Sequence, residues 1–231
     1  MKKVFFLSLL SFFLSCSCSN NIAGTGSETD TGCAIAGLIQ FADSTPVSGA
    51  DVILHDQSQL MKLTLSKRLA NLALIRSGST ETNINGFFRI DSVDTGGYLV
   101  EINDHDTLGA VLPTQISPGD TLKKVNGVLQ KLGVIIGKLD TTGIGKTTTD
   151  SIYLPELGRK VGVDSAGNFV ITGLPVWNYQ IRLAIRDSVV RLPNDSIPIP
   201  VKAADTTRVI SFGSKSGSVI VDGNIIENPN P

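Results

Sequence analysis

Two histidines, His55 and His105, and three cysteines, Cys16, Cys18 and Cys33, make up most of the reactive side chains of this 231-residue chain. A serine or cysteine nucleophile needs a histidine beside it and a carboxylate behind that histidine; neither histidine belongs to such a pattern, and no G-x-S-x-G turn occurs. Scattered Asp and Glu residues do not specify the paired carboxylates of a glycosidase. Gly143-Ile144-Gly145-Lys146-Thr147 has the end of a phosphate-binding loop, but Asp140 stands where the first glycine must be, and no helix pattern follows. It reads as a solvent loop. Asn103-Asp104-His105-Asp106 offers oxygen ligands suited to calcium but lacks the glycine and closing glutamate of a known calcium loop. The three cysteines have no histidine near them to complete a zinc set. The chain is therefore expected to be non-enzymatic, with no cofactor and no metal.

Two features could bind a partner. Trp177, the only tryptophan, lies beside Pro175 and before Tyr179, where an exposed ring would stack on a sugar or anchor a protein. The reading favoured is that it caps the end of a core. Residues 57–79 carry Lys62, Lys67, Arg68 and Arg76 with no acidic residue, and leucines recur there every three or four positions. A basic surface segment facing lipid head groups, polysaccharide or protein is one reading; a loop or short helix packed on the body is the favoured one. Overall, 20 Lys+Arg against 21 Asp+Glu leave no excess to neutralise phosphates, which excludes a generally basic nucleic-acid binder.

The N-terminus is an address. Lys2 and Lys3 precede the apolar run Val4–Leu14, and small residues follow, as in a secretory signal peptide; the run is too short to span a bilayer. Phe13-Leu14-Ser15-Cys16 resembles a bacterial lipobox, with Phe13 where Leu, Val or Ile is usual. The resemblance implies cleavage after residue 15 and lipidation of Cys16, with Cys18 as the rival acceptor. Ser17 follows the cysteine where an aspartate would favour inner-membrane retention, so the resemblance implies the outer membrane. Residues 16–33 are nearly all small or polar and read as a flexible tether. Cys33 has only Cys18 left as a partner, and such a loop would staple nothing in the main body.

The elements beyond the tether come from one unit used twice. Gly37-Leu38-Ile39 and Asp51–Leu54 return 100 residues later as Gly137-Lys138-Leu139 and Ser151–Leu154. Gly86-Phe87-Phe88-Arg89-Ile90 returns 81 residues later as Gly167-Asn168-Phe169-Val170-Ile171, and Tyr98, Val100 and Ile102 fall on Tyr179, Ile181 and Leu183. The difference of 19 places extra residues in the first copy between Leu54 and Gly86. Phe88 and Ile90, then Tyr98, Val100 and Ile102, alternate at period two, which is a half-buried strand pattern, and Asn85-Gly86 and Ala166-Gly167-Asn168 supply the turns.

G-L-I-Q-F through P-V-S-G-A-D-V-I-L, followed by T-E-T-N-I-N-G-F-F-R-I, resembles the carboxypeptidase regulatory-like domain, a transthyretin-like (prealbumin-like) β-sandwich. The resemblance rests on Gly37, Pro46, Val47, Gly49, Ala50, Val52, Leu54, Thr82, Gly86, Phe88, Ile90, Val93, Gly97 and Tyr98. It implies an all-β protein of two tandem transthyretin-like sandwiches. Copy one would span 34–131 with an insertion at 57–79, copy two, a degenerate member, would span 132–213, and 214–231 would be a C-terminal tail. It also implies core roles for Phe88, Ile90, Tyr98 and Val100, and no catalytic residue. The expected function is a lipid-anchored envelope protein, either a structural or binding module for polysaccharide or protein, or a passive scaffold with no small ligand.

Overall fold

The centre of the first strand is built around a glycine. In β1 (Cys33–Gln40), Gly37 lies opposite Phe88 of the antiparallel β4 (Phe87–Val93), and a Cβ there would lie 2.8 Å from the Phe88 ring and 1.7 Å from the Val125 carbonyl oxygen. No larger residue fits. The computed structural model describes residues 32–59, 76–139, 150–185, 188–190, 197–212 and 218–227. These residues are almost all strand, arranged in stacked sheets, as expected of an all-β sandwich.

In the first half the chain continues through β2 (Asp51–Asp56), β3 (Arg76–Glu81), β4, β5 (Gly96–Asp104), β6 (Leu108–Ile116), β7 (Leu122–Lys124), β8 (Gly127–Val128) and β9 (Gln130–Lys131). One sheet runs β4-β1-β7 with β8 also on β1, and the other runs β3-β2-β5-β6-β9. Alternation decides what lies between them: Val52 and Leu54 of β2 face Tyr98, Val100 and Ile102 of β5 in a core with Ile35, Phe88 and Ile90. The other face of the second sheet is left for something else to cover.

The second half repeats the first in register. Its strands are β10 (Gly133–Leu139), β11 (Asp150–Leu154), β12 (Arg159–Gly162), β13 (Asn168–Leu174), β14 (Trp177–Gln180), β15 (Arg182–Ile185), β16 (Ser188–Val190), β17 (Pro198–Val201), β18 (Thr206–Phe212), β19 (Ser218–Val221) and β20 (Asn224–Glu227). Gly137 faces Phe169 as Gly37 faces Phe88, both first strands break register at their start, and both pair in parallel with a late strand, β7 or β18. Tyr98 donates to the carbonyl of Asp94, and Tyr179 does the same to Pro175, four residues back in each case. A second core holds Ile135, Leu154, Phe169, Ile171, Tyr179 and Val209.

Leu99 and Val111, from the outer face of the β2-β5-β6 sheet, belong to that second core. This is what covers the outer face of the β2-β5-β6 sheet. Leu132 alone separates β9 from β10, and its amide donates to the carbonyl of Thr107 at 3.1 Å. Residues 214–231, expected as a tail, include the hairpin β19–β20, which adds two strands to the edge of the β13-β10-β18 sheet. Arg76–Glu81, of which all but the last two residues fall in the expected insertion at 57–79, form β3, and Cys33, expected in the tether, opens β1 as a buried thiol.

Candidate functional site

β2 and β5 are adjacent and antiparallel, with His55 opposite Leu99 and Ile53 opposite Glu101. Because Val52, Leu54, Val100 and Ile102 take the core side, His55 and Glu101 must lie on the outer face that the second half covers. Both are 3% exposed. The third member comes from the second half. Where the first copy has its long insertion, the second has only a 3₁₀ turn, Pro155–Leu157, closed by Gly158 at φ +60°. That left-handed residue reverses the chain and starts β12 at Arg159.

Glu101 divides its two oxygens between the halves. Oε2 accepts from His55 Nε2 at 2.7 Å, and Oε1 accepts from Arg159 Nη2. Arg159 Nη1 is held in turn by the carbonyls of Gly173 at 2.8 Å and Thr172 at 3.3 Å. Burial pushes the Glu101 carboxyl up, but the His55 hydrogen bond and the Arg159 charge outweigh it and hold it below its ordinary value. Glu101 is thus a carboxylate, which can only accept, so His55 Nε2 carries the proton of their bond. His55 Nδ1 is buried with no hydrogen-bond partner among the described residues.

These residues wall one side of a cleft of about 650 Å³, which Asp51, Ser79, Glu81 and Asn103 line from the first half and Leu157 and Gly158 from the second. Glu101 is bonded by His55 on one side and by Arg159 on the other, so the arrangement clamps its charge between the two halves. A second, partly buried carboxylate belongs to the 3₁₀ turn itself. Glu156 accepts the Gln180 amide at 2.8 Å, and burial pushes its carboxyl up to about 7 against the opposing pull of its backbone hydrogen bonds and of Arg182.

Of the residues singled out from sequence, Trp177 begins β14 opposite Val201 and packs half-buried against the second core. His105 and the acidic cluster form the β5–β6 turn, where Asn103 bonds Asp106 in both directions and Asp104 bonds His105 at 2.6 Å. Among the described residues no three His, Cys, Asp or Glu side chains are grouped to hold a metal. Cys16, Cys18, Lys62, Lys67, Arg68 and Gly143–Thr147 lie outside the described residues. Sequence reading missed His55, Glu101 and Arg159 as a group. The available signal was two polar side chains in strands on the face opposite a clean apolar stripe.

No family model and no curated protein sequence matches the chain. Among solved structures it is similar to the Bacillus anthracis TIE protein at 13% identity and a TM-score of 0.33, over 78% of this chain and 34% of that one. It is also similar to a minor pilin of Streptococcus agalactiae at 14% identity and a TM-score of 0.34, over 78% of this chain and 95% of that one. The shaft pilin of Lactobacillus rhamnosus GG shows 10% identity and a TM-score of 0.27, over 79% of this chain and 98% of that one. The fold assigned to this chain rests on its own strand register and cores.

Proposed function

We propose that the chain is a lipid-anchored protein of the bacterial cell envelope whose two halves, each a transthyretin-like sandwich of the carboxypeptidase regulatory-like kind, form a non-catalytic structural and binding module. The observation that carries this reading is the use made of Glu101. Its oxygens are spent on His55 of one half and Arg159 of the other, so a buried carboxylate ties the halves together. Apolar contact through Leu99 and Val111 reinforces the same junction. A module held this way presents its cleft and outer sheet faces in a set geometry, which suits adhesion or partner recognition. Anchoring is supported by the lipobox-like Leu14-Ser15-Cys16 after an apolar run.

Anchoring is tested by fractionation. Wild-type chain is expected in the outer-membrane fraction with incorporated palmitate, and Cys16→Ser is expected to be soluble or unprocessed. Normal labelling of Cys16→Ser would move the anchor to Cys18 or remove it.

A further inference from the structure

The internal repeat allows the outer faces of the two corresponding sheets, β4-β1-β7 and β13-β10-β18, to be compared position by position. In the first half Cys33, Ile35 and Ile39 of β1 take the core side. Ala36 and Leu38 therefore face out, in register with Arg89 and Phe87 of β4, and Ala36 also with Lys124 of β7. Leu122 is two residues along on the same side, and Ile84 belongs to the turn that leads into β4. Three of these side chains are large, apolar and exposed: Ile84 at 81%, Phe87 at 53% and Leu122 at 43%. The matching places in the second half hold Ser165, Asn168 and Thr206, all exposed, and Lys138 stands for Leu38. Val170 for Arg89 and Ile136 for Ala36 run the other way. The same sandwich thus folds with polar groups at the three exposed places, so folding does not account for the apolar ones in the first half.

Charge is arranged with them. Arg89, Ala36 and Lys124 form one row across the sheet, with Leu122 on one side of the row and Phe87 on the other. Arg89 shares an exposed ion pair with Asp91 at 2.7 Å, and Lys124 makes none among the described residues. A face with cations between apolar groups is complementary to an anionic bilayer: the apolar side chains enter the boundary between headgroups and acyl chains, and Lys and Arg meet the phosphates.

The position of this sheet in the chain favours the same occupant. β1, its central strand, opens at Cys33, 17 residues beyond Cys16, and at about 3.5 Å per residue that length spans at most about 60 Å. A lipid on Cys16 therefore keeps this sheet within reach of the bilayer, and tethering raises the effective concentration so that a weak face suffices. A protein partner or a second copy would have to be recruited, whereas the anchor already supplies the membrane.

We propose that the outer face of the β4-β1-β7 sheet lies on the bilayer and binds anionic lipid headgroups, with Ile84, Phe87 and Leu122 entering the interface and Arg89 and Lys124 meeting the phosphates. The proposal rests on the lipid-anchored reading and deepens it, because it gives the anchored chain a set side toward the membrane.

The test uses the full lipidated chain in vesicles of phosphatidylglycerol and phosphatidylcholine whose acyl chains carry bromine, which quenches any tryptophan that reaches them. Two variants are compared in a Trp177→Phe background: Phe87→Trp, and Val170→Trp on the outer face of the second half. Emission of Phe87→Trp is expected to fall at least twofold relative to unbrominated vesicles, and that of Val170→Trp to stay unchanged. Equal quenching of the two, or none in Phe87→Trp, overturns the proposal. Acetylation of the wild-type chain reads the same contact without a substitution. Lys124 should react at least fivefold more slowly on the vesicles than in non-ionic micelles while Lys138 is unchanged; equal protection of both, or of neither, overturns the proposal as well. Dimers in micelles that disappear in the Ile84→Ser, Phe87→Asn, Leu122→Thr variant would assign the face to a second copy instead. Flotation of the same vesicles reads the anchor separately: chain that floats with no quenching in Phe87→Trp sinks the face proposal alone, and chain that does not float sinks the anchored reading and this proposal with it.

Discussion

Glu156 shows how far one residue's surroundings change its chemistry. Its carboxyl is an ordinary side chain in an unfolded chain, but in the folded chain desolvation of its carboxyl in the 3₁₀ turn lifts it to about 7. A group raised on folding contributes its stability fully below its unfolded value, near 4.5, and that contribution is lost as pH rises through about 7. The loss amounts to about 3 kcal/mol at the high-pH end, at about 1.4 kcal/mol for each tenfold difference. Glu156→Gln keeps an oxygen for the Gln180 amide and removes the titration. It should be near neutral at pH 5 and raise the melting temperature at pH 8, measured by circular dichroism on both chains. A variant that is destabilised equally at both pH values would show that the carboxylate is needed in its charged form. Glu101 has the opposite sign: its lowered carboxyl contributes above the ordinary carboxylate value, and that contribution disappears as pH falls through its folded value.

Among elements, the contrast between the two β2-type to β3-type connections decides where the halves meet. In the first half the strand β2 leaves at Asp56 and β3 returns at Arg76; in the second, β11 leaves at Leu154 and β12 returns at Arg159. The short connection is what brings Arg159 to Glu101. If that contact couples the halves, Arg159→Met is expected to cost about 3 kcal/mol or more, since it strands the buried Glu101 carboxylate, and Glu101→Gln to cost less, since Arg159 is only part-buried. Their double-mutant cycle should give a coupling of about 1–3 kcal/mol. Additive losses, read from urea midpoints, would mean that the two side chains stabilise their own halves independently. The turns before β4 and β13 follow the same logic on a smaller scale. Asn83 accepts the amides of Asn85 and Phe87, and Asp164 accepts those of Ala166 and Asn168, so each turn is closed from its first residue. Gly86 and Gly167 take positive φ within those turns, where an added Cβ would press on the carbonyls of Ile39 and Leu139.

For the whole molecule, two cores joined through Leu99 and Val111 lead to a mixed expectation about cooperativity. Phe88 and Phe169 are each buried in one core, so Phe88→Ala and Phe169→Ala should each cost about 3–5 kcal/mol. A fragment of residues 132–231 is expected to give a β-rich spectrum and a cooperative melt, at a lower temperature than the same half in the full chain because it loses the cover that Leu99 and Val111 provide. Should the fragment be unstructured, and both substitutions lower one shared transition by the same amount in residues 34–231, the chain is a single folding unit and the division at 131–132 is withdrawn.

The all-β class, the repeat and the inward residues were legible in the sequence because they are local. Period-two alternation through Phe88, Ile90, Tyr98, Val100 and Ile102 reports a strand's buried side without reference to its neighbours, and Gly137 with Phe169 repeats Gly37 with Phe88 because the same cross-strand pair is built twice. Local reading failed at places where a residue's role depends on something distant in the chain. Residues 218–227 carry two short apolar runs about Asp222-Gly223, a local hairpin signal that the tail reading passed over, but the edge of β18 onto which the hairpin pairs is set by the rest of the chain. His55, Glu101 and Arg159 are far apart along the chain, and nothing in their own segments says they share a site. Only the covering of the first half's outer sheet face by the second half removed water from Glu101 and made its charge need partners, so the clamp and its cleft are products of the tertiary structure.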